Sequence, residues 1–204
     1  MEQVEQSEKP KATRKEQRRK GKYAKKNKQL KWLIFVAVLS FTIAFVFAIV
    51  SDIFSQSDIA VIHAIVIAAF IIIAVVFELI ASAVNYADID SFNAMASRKV
   101  KGAKICVMFV NNRDKVSTII SDIIGDICAI LSGAASLTLS LTIILTLNIN
   151  DVLTQALVVA LVGALVSSIT ILAKAIAKAV AKTKSTEIVF FVGRLLSIFS
   201  RSGK

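Results

Sequence analysis

The stretch Ile59-Ala-Val-Ile-His-Ala-Ile-Val-Ile-Ala-Ala-Phe-Ile-Ile-Ile-Ala-Val-Val-Phe-Glu-Leu-Ile-Ala-Ser-Ala-Val84 carries no Lys or Arg, and only His63, Glu78 and Ser82 interrupt its apolar character. It exceeds the ~20 apolar residues with which an α-helix crosses the hydrocarbon of a bilayer. Around it lies a longer interval, Trp32 to Ser97, without a positive charge, and a second such interval runs from Val116 to Ala173. All 25 Lys and Arg residues fall outside the two, in residues 1–31, in residues 98–115 and from Lys174 onward. Each interval has room for two crossings. Each therefore reads as a hairpin, out and back, whose basic flanks are retained on the cytoplasmic side. The pattern predicts an all-α integral membrane protein of four transmembrane helices with both chain ends cytoplasmic.

Composition agrees with that class. The 204-residue chain is 56% hydrophobic, has one Pro and a mean hydropathy of +0.72, values foreign to a soluble domain. Its net charge of +11 collects where membrane topology demands it. The Lys/Arg-rich tail, Lys11 to Lys31, lacks aromatic interleaving and any folded motif, so no nucleic-acid partner is expected. Anionic lipid headgroups are its expected partner. Cys106 and Cys128 fall at different depths and are expected to be free thiols. The charged start is too long for a cleavable signal peptide, which makes the first apolar run an anchor. No phosphate loop, nucleophile elbow, Cys/His cluster or zinc-binding helix motif occurs, and the chain is not expected to be an enzyme.

Residues 1–31 are polar and predict a disordered or loosely helical cytoplasmic tail. Residues 32–58 predict a first helix, from Trp32 to about Val50, and an outer loop with Asp52 and Asp58. Residues 59–204 predict three more spans: Ile59 to about Val84, Ser117 to Leu147, and Val152 to about Leu172. The third span closes on an outer turn, Asn148-Ile-Asn-Asp151. The fourth runs on into Lys174, Lys178 and Lys182 on one face. Between the second and third spans, Phe92, Met95, Ala96, Val100, Ala103, Val107 and Val110 recur at three- and four-residue steps, as in cytoplasmic amphipathic helices. A further cytoplasmic amphipathic stretch, Ile188 to Phe199, follows the last span and is expected to lie flat on the inner membrane surface. His63, with no second His or nearby Cys, reads as an interfacial polar residue rather than a metal ligand.

Three acids lie inside predicted spans, where an ionised carboxylate costs several kcal/mol and marks a site by default: Glu78, Asp122 and Asp126. Helical spacing aligns Glu78, Ser82 and Asn85 on the second span. It aligns Thr118, Asp122, Gly125, Asp126, Ala129, Ser132, Gly133, Ser136 and Ser140 on the third, and Gly163, Ser167, Thr170 and Lys174 on the fourth. For the small residues, close helix packing is the favoured explanation. Packing does not need the carboxylates, whereas a hard cation such as Mg²⁺ takes oxygen ligands from carboxylates, hydroxyls and carbonyls. Glu78, Ser82, Asp122, Asp126 and Thr170 are the expected oxygen-bearing lining of a cation path.

Met95-Ala-Ser-Arg-Lys-Val-Lys-Gly-Ala-Lys104, followed by Asn112-Arg-Asp-Lys-Val-Ser-Thr-Ile-Ile120, resembles the transmembrane domain of the cyclin M (CNNM) and CorB/CorC magnesium transporters. Phe77 and Ala83 match that family's first-helix pattern, and Ala96, Ala103 and Lys104 match its cytoplasmic helix pair. Asn112, Asp114, Lys115, Ser117 and Thr118 match the turn that follows; Lys174 and Ala177 match the close of its last helix. The run Gly125-Asp-Ile-Cys-Ala-Ile-Leu-Ser-Gly133 is similar to a short bacterial branch. The resemblance covers about residues 59–200 and leaves the first helix and the tail as additions. It implies Mg²⁺ as the bound or transported ion, the bacterial plasma membrane as the location and, with the small-residue seams, a homodimer. The family's last-helix Glu falls at Thr170 and its first-helix Glu at Ala81, and its paired nucleotide-binding domains are absent from this sequence. A non-transporting membrane interaction module on the same scaffold is the alternative expectation.

Overall fold

The computed structural model describes residues 14–55 and 59–201. Helices α1 (Arg14–Ser55), α2 (Ala60–Tyr86), α3 (Ile89–Ser97), α4 (Ala103–Asn111) and α5 (Arg113–Ser117) come first. A π-helical segment, Thr118–Gly125, continues α5 into α6 (Asp126–Thr146), and α7 (Val152–Thr183) and α8 (Ser185–Arg201) complete the chain. Four helical stretches are long and apolar enough to cross a membrane: Gln29–Ser51, Ala60–Tyr86, Arg113–Thr146 and Val152–Thr183. The described residues are otherwise helices and short connections, with no strand.

The chain forms two units, one ending at Leu39 and one beginning at Ser40. In the first unit the helix begins at Arg14, not at Trp32, so of the two forms expected for the tail its described part is the helical one. The physical reason is local: Lys, Arg, Gln, Glu and Ala dominate residues 14–31, and all favour helix. Residues 1–13 lie outside the described residues, as do 56–58 of the expected outer loop; Ser51 to Ser55 still belong to α1.

In the second unit α2 is the central helix and packs against α6, α7, α8 and the π segment. Midway along it, Phe70 and Ala74 bury against Cys128 of α6, with Phe47 edge-on to Phe70 at 6.4 Å. Ser132, Ser136 and Ser140 are buried and donate back to the carbonyls of Ala129, Gly133 and Ser136. These hydroxyls satisfy themselves within their own helix and leave a low-relief seam for packing. The outward faces are large and apolar: Leu153, Leu157, Leu161, Leu165 and Ile169 of α7 all stand open. A hydrocarbon solvent makes such a surface inexpensive.

The connections are specified locally. Asn148 adopts the left-handed conformation (φ 52°), with Ile149 N–H donating to Ile144 O at 3.1 Å and Asn148 N–H to Leu145 O at 3.2 Å. That is the double hydrogen bond of a Schellman stop, and Asn tolerates the strained position. Asp151 then caps α7 by accepting from Thr154 N–H at 2.9 Å and from its hydroxyl at 2.7 Å. Asp88 caps α3 in the same manner through Asp90 and Ser91. Backbone and hydroxyl donors hold the Asp88 carboxyl below the usual carboxylate range, those of Thr154 do the same for Asp151, and both side chains are solvent-accessible. A lowered folded-state value stabilises the fold above the unfolded value of about 3.9 and ceases to do so as pH falls through it. Thermal unfolding followed from pH 7 to pH 3 is therefore expected to show an acid-side loss of stability, smaller in Asp88→Asn and Asp151→Asn.

At the end of the bundle where α2 stops and α7 stops, α3, α4 and α8 close a second core. Ala83, Val84, Ala87, Phe92, Cys106, Val110, Ala181 and Val189 form it, each at most 3% exposed. The expected apolar periodicity is met at Phe92, Ala103 and Val110, which are buried; Val100 is exposed, because the chain turns there between two helices. Lys99 stops α3 in a second Schellman turn, and Gly102 (φ 87°) starts α4. Gly102 and Gly193 sit at the crossing of α4 and α8, where the backbone of Gly193–Arg194 lies against Gly102 and the Cys106 thiol lies against Gly193. Cys106 donates to Val189 O at 3.4 Å, and burial pushes its thiol up. Both cysteines are free, as expected.

Candidate functional site

Glu78 lies one turn before Ser82 on α2 and is only 5% exposed. Ser82 donates to Oε1 at 3.1 Å and Ser121, from the π segment, donates to Oε2 at 2.7 Å. Lys178 of α7 brings Nζ to 3.4 Å from Oε1, while its own side chain is 59% exposed. Three elements thus converge on one buried anion. The carboxylate borders a cavity of about 380 Å³ that Asn85, Ser117, Ser121, Asp122 and Lys178 also line. Of its lining residues, Asn85 donates to Ser117 Oγ at 2.9 Å, and Arg113 donates to the Asn85 carbonyl at 3.2 Å.

The second acid site lies between α6 and α7. Asp126 Oδ1 is 2.7 Å from Lys174 Nζ, at the edge of a cavity of about 370 Å³ lined by Ser132, Gly133, Ser167 and Thr170 among others. The Thr170 hydroxyl donates to Val166 O at 2.7 Å, inside its own helix.

The five residues expected to form one path therefore divide between two cavities. Glu78, Ser82 and Asp122 share the first; Asp126 and Thr170 share the second. The π segment is the cause. An ideal α-helix places Asp122 and Asp126 four residues apart on one face, but the wider π turn between Thr118 and Gly125 shifts that phase. Ser121, not Asp122, then meets Glu78. Asp122 is exposed, and its side chain makes no hydrogen bond or ion pair among the described residues. Regular spacing could not reveal Ser121, although a serine beside an intramembrane Asp was a visible polar signal. Lys174 and Lys178 of α7 supply the counter-cations. Among the described residues no group of three or more His, Cys, Asp or Glu side chains is placed to hold a metal ion. Any cation in the first cavity would meet two carboxylates, Glu78 and Asp122, and would complete its shell from hydroxyls, amide oxygens and water. His63, in the first turn of α2, is buried within the protein, 1% exposed.

Fold and site together define the class: an all-helical bundle with four helices long enough to span a bilayer and a buried carboxylate on the central one. Against protein-family models, curated proteins and solved structures, the chain matches none.

Proposed function

We propose that the chain is a multi-pass membrane protein that binds a hard divalent cation and passes it across the bilayer through the Glu78–Asp122 cavity. The observation that carries this reading is the buried Glu78 carboxylate, held from two helices by serine hydroxyls in a cavity it shares with a second acid. A carboxylate is costly inside a membrane protein and dispensable for packing, so its retention points to an ion or a proton. Mg²⁺ is the ion proposed, on the resemblance to the CorB/CorC transporters and on the hard oxygen donors. Lys178 serves as the internal counter-cation when no ion is bound. Its exposure lets it leave by a change of rotamer, without repacking of the bundle.

The basic end of the bundle, with α3, α4, α8, Lys174, Lys178 and Lys182, is placed on the cytoplasmic side by the positive-inside rule. The bacterial plasma membrane is its proposed location, and anionic headgroups the partner of its basic tail. The Asp126–Lys174 ion pair favours a second reading, in which the acids only lock helices together and the scaffold docks a partner without transport.

Mg²⁺ flux into liposomes separates the two. In the transport reading Glu78→Gln and Asp122→Asn each lower flux about tenfold or more, the equivalent of roughly 1.4 kcal/mol in ion binding. Asp126→Asn, whose carboxylate lies in the other cavity, has the smaller effect. Flux unchanged in all three variants leaves the interaction module as the reading.

A further inference from the structure

We infer that the open face of α8 is a membrane-docking surface that seats in the headgroup region of the cytoplasmic leaflet and takes anionic lipid. Helix α8 has two opposed faces. Val189 and Gly193 are buried against α2 and α4, whereas Glu187, Phe191, Arg194, Leu195 and Ile198 stand exposed on the other side at three- and four-residue steps. Three of those five are large apolar side chains, and Phe191 and Ile198 are 64% and 62% exposed. None of the described elements covers them. Water is an unfavourable neighbour for such a stripe, while the boundary between headgroups and acyl chains accommodates it.

Two features of the chain identify the occupant as lipid. First, α8 follows α7 through a single residue, Lys184, so it begins where a membrane-crossing helix ends. The exposed apolar residues of α7 reach Ile176 and Val180 just before that joint, and exposed apolar residues recur on α8 from Phe191. Second, the charges at the joint are mostly positive, with Glu187 the one acid in the first turn of α8. Lys178, Lys182 and Lys184 are exposed around the turn, and Arg194 stands within the apolar stripe of α8. An arginine flanked by Phe191, Leu195 and Ile198 suits a phosphate-bearing surface, which solvates the guanidinium while the neighbours enter the acyl region. Lys182, Lys184 and Arg194 outnumber Glu187 on and beside this face, so a second copy of the chain would bring like charges together, whereas an anionic headgroup surface neutralises them. This inference does not depend on cation transport.

The test uses the full-length protein, with Trp32→Phe to remove the only tryptophan and a reporter placed by Phe191→Trp or, separately, Ile198→Trp. Each is reconstituted into vesicles of phosphatidylcholine alone or with phosphatidylglycerol. Lipids brominated at shallow acyl positions are expected to quench both reporters, and aqueous iodide to quench them weakly. A Glu187→Trp reporter at the near end is expected to stay more open to iodide. Arg194→Gln is expected to lower the docked-to-undocked ratio of the Phe191→Trp reporter about fivefold in phosphatidylglycerol vesicles, with no change in phosphatidylcholine alone. Iodide quenching without bromolipid quenching in both compositions overturns the inference, as does exclusion of both quenchers, which indicates cover by protein. Bromolipid quenching that ignores phosphatidylglycerol and Arg194 alike overturns its anionic-lipid part.

Discussion

Gly102→Ala is expected to destabilise the protein by about 3 kcal/mol, the sum of two separate penalties. Gly102 holds φ at 87°, a left-handed conformation that costs a residue with a Cβ about 1–2 kcal/mol. Its missing Cβ would also lie 2.8 Å from Arg194 N and 2.9 Å from Arg194 Cα. Those atoms are backbone and cannot swing aside, and forced overpacking of this kind costs about 1–3 kcal/mol. A fall in midpoint temperature on the order of 5–10 °C in detergent follows for a chain of this size. Gly193→Ala tests the same crossing from the other side, because its Cβ would collide with the Cys106 sulfur. That clash has a removable partner. In Gly193→Ala/Cys106→Ala the nearest obstacle becomes Gly102 O at 3.2 Å, so the double variant is expected to be more stable than Gly193→Ala alone. No such rescue is available to Gly102→Ala. If the two glycine variants unfold like wild type, α8 is not packed on α4 as described. If Cys106→Ala worsens Gly193→Ala, the thiol is not the obstacle.

That crossing also marks where sequence reading stops. The four long apolar helices were legible because length, hydropathy and the confinement of Lys and Arg are properties of the chain itself. The turn at Asn148–Asp151 was legible for a similar reason: its left-handed Asn and its capping Asp are local choices. The extent of α1 was not, because residues 14–31 combine the polarity of a tail with the propensity of a helix, and hydropathy responds only to the first. Nor was the site. Alignment of Asp122 with Asp126 assumed an unbroken 3.6-residue period, and the π turn between them withdraws that assumption without leaving a sequence signature. Helical spacing puts Lys174 and Lys178 on one face of the fourth span but gives them no partner. Only tertiary packing of α7 on α2 and α6 turns their ends toward Asp126 and Glu78.

Lys178→Met and Glu78→Gln remove opposite ends of one ion pair, and their effects on stability are expected to be unequal. When Glu78 loses its charge, Lys178 is already 59% exposed and returns to water, so its desolvation cost is small. The new amide would keep one oxygen as acceptor for one serine, and its NH2 can donate to the hydroxyl oxygen of the other, which holds the cost of Glu78→Gln to about 1 kcal/mol. When Lys178 is lost, the anion left behind is the 5%-exposed partner, and two hydroxyls solvate it incompletely. Breaking a fully buried pair costs about 3–5 kcal/mol; with one partner open to water the expected figure here is about 2 kcal/mol. Stability alone would then make Lys178 a structural lysine. Added Mg²⁺ distinguishes the roles. If Lys178 stands where a transported cation binds, its removal deletes a competitor, and Mg²⁺ becomes the only neutralising charge available to Glu78. Mg²⁺ at about 100 times its dissociation constant would then restore on the order of 2.7 kcal/mol to Lys178→Met, enough to offset the loss. The same ion should do nothing for Lys178→Met/Glu78→Gln, which has no anion there to neutralise. Rescue of both variants would place the ion elsewhere, with Asp122 as the next carboxylate to remove. Rescue of neither would leave Glu78 as a buried anion that only a lysine and two serines stabilise, and the Asp126–Lys174 pair as its counterpart in a bundle built for docking.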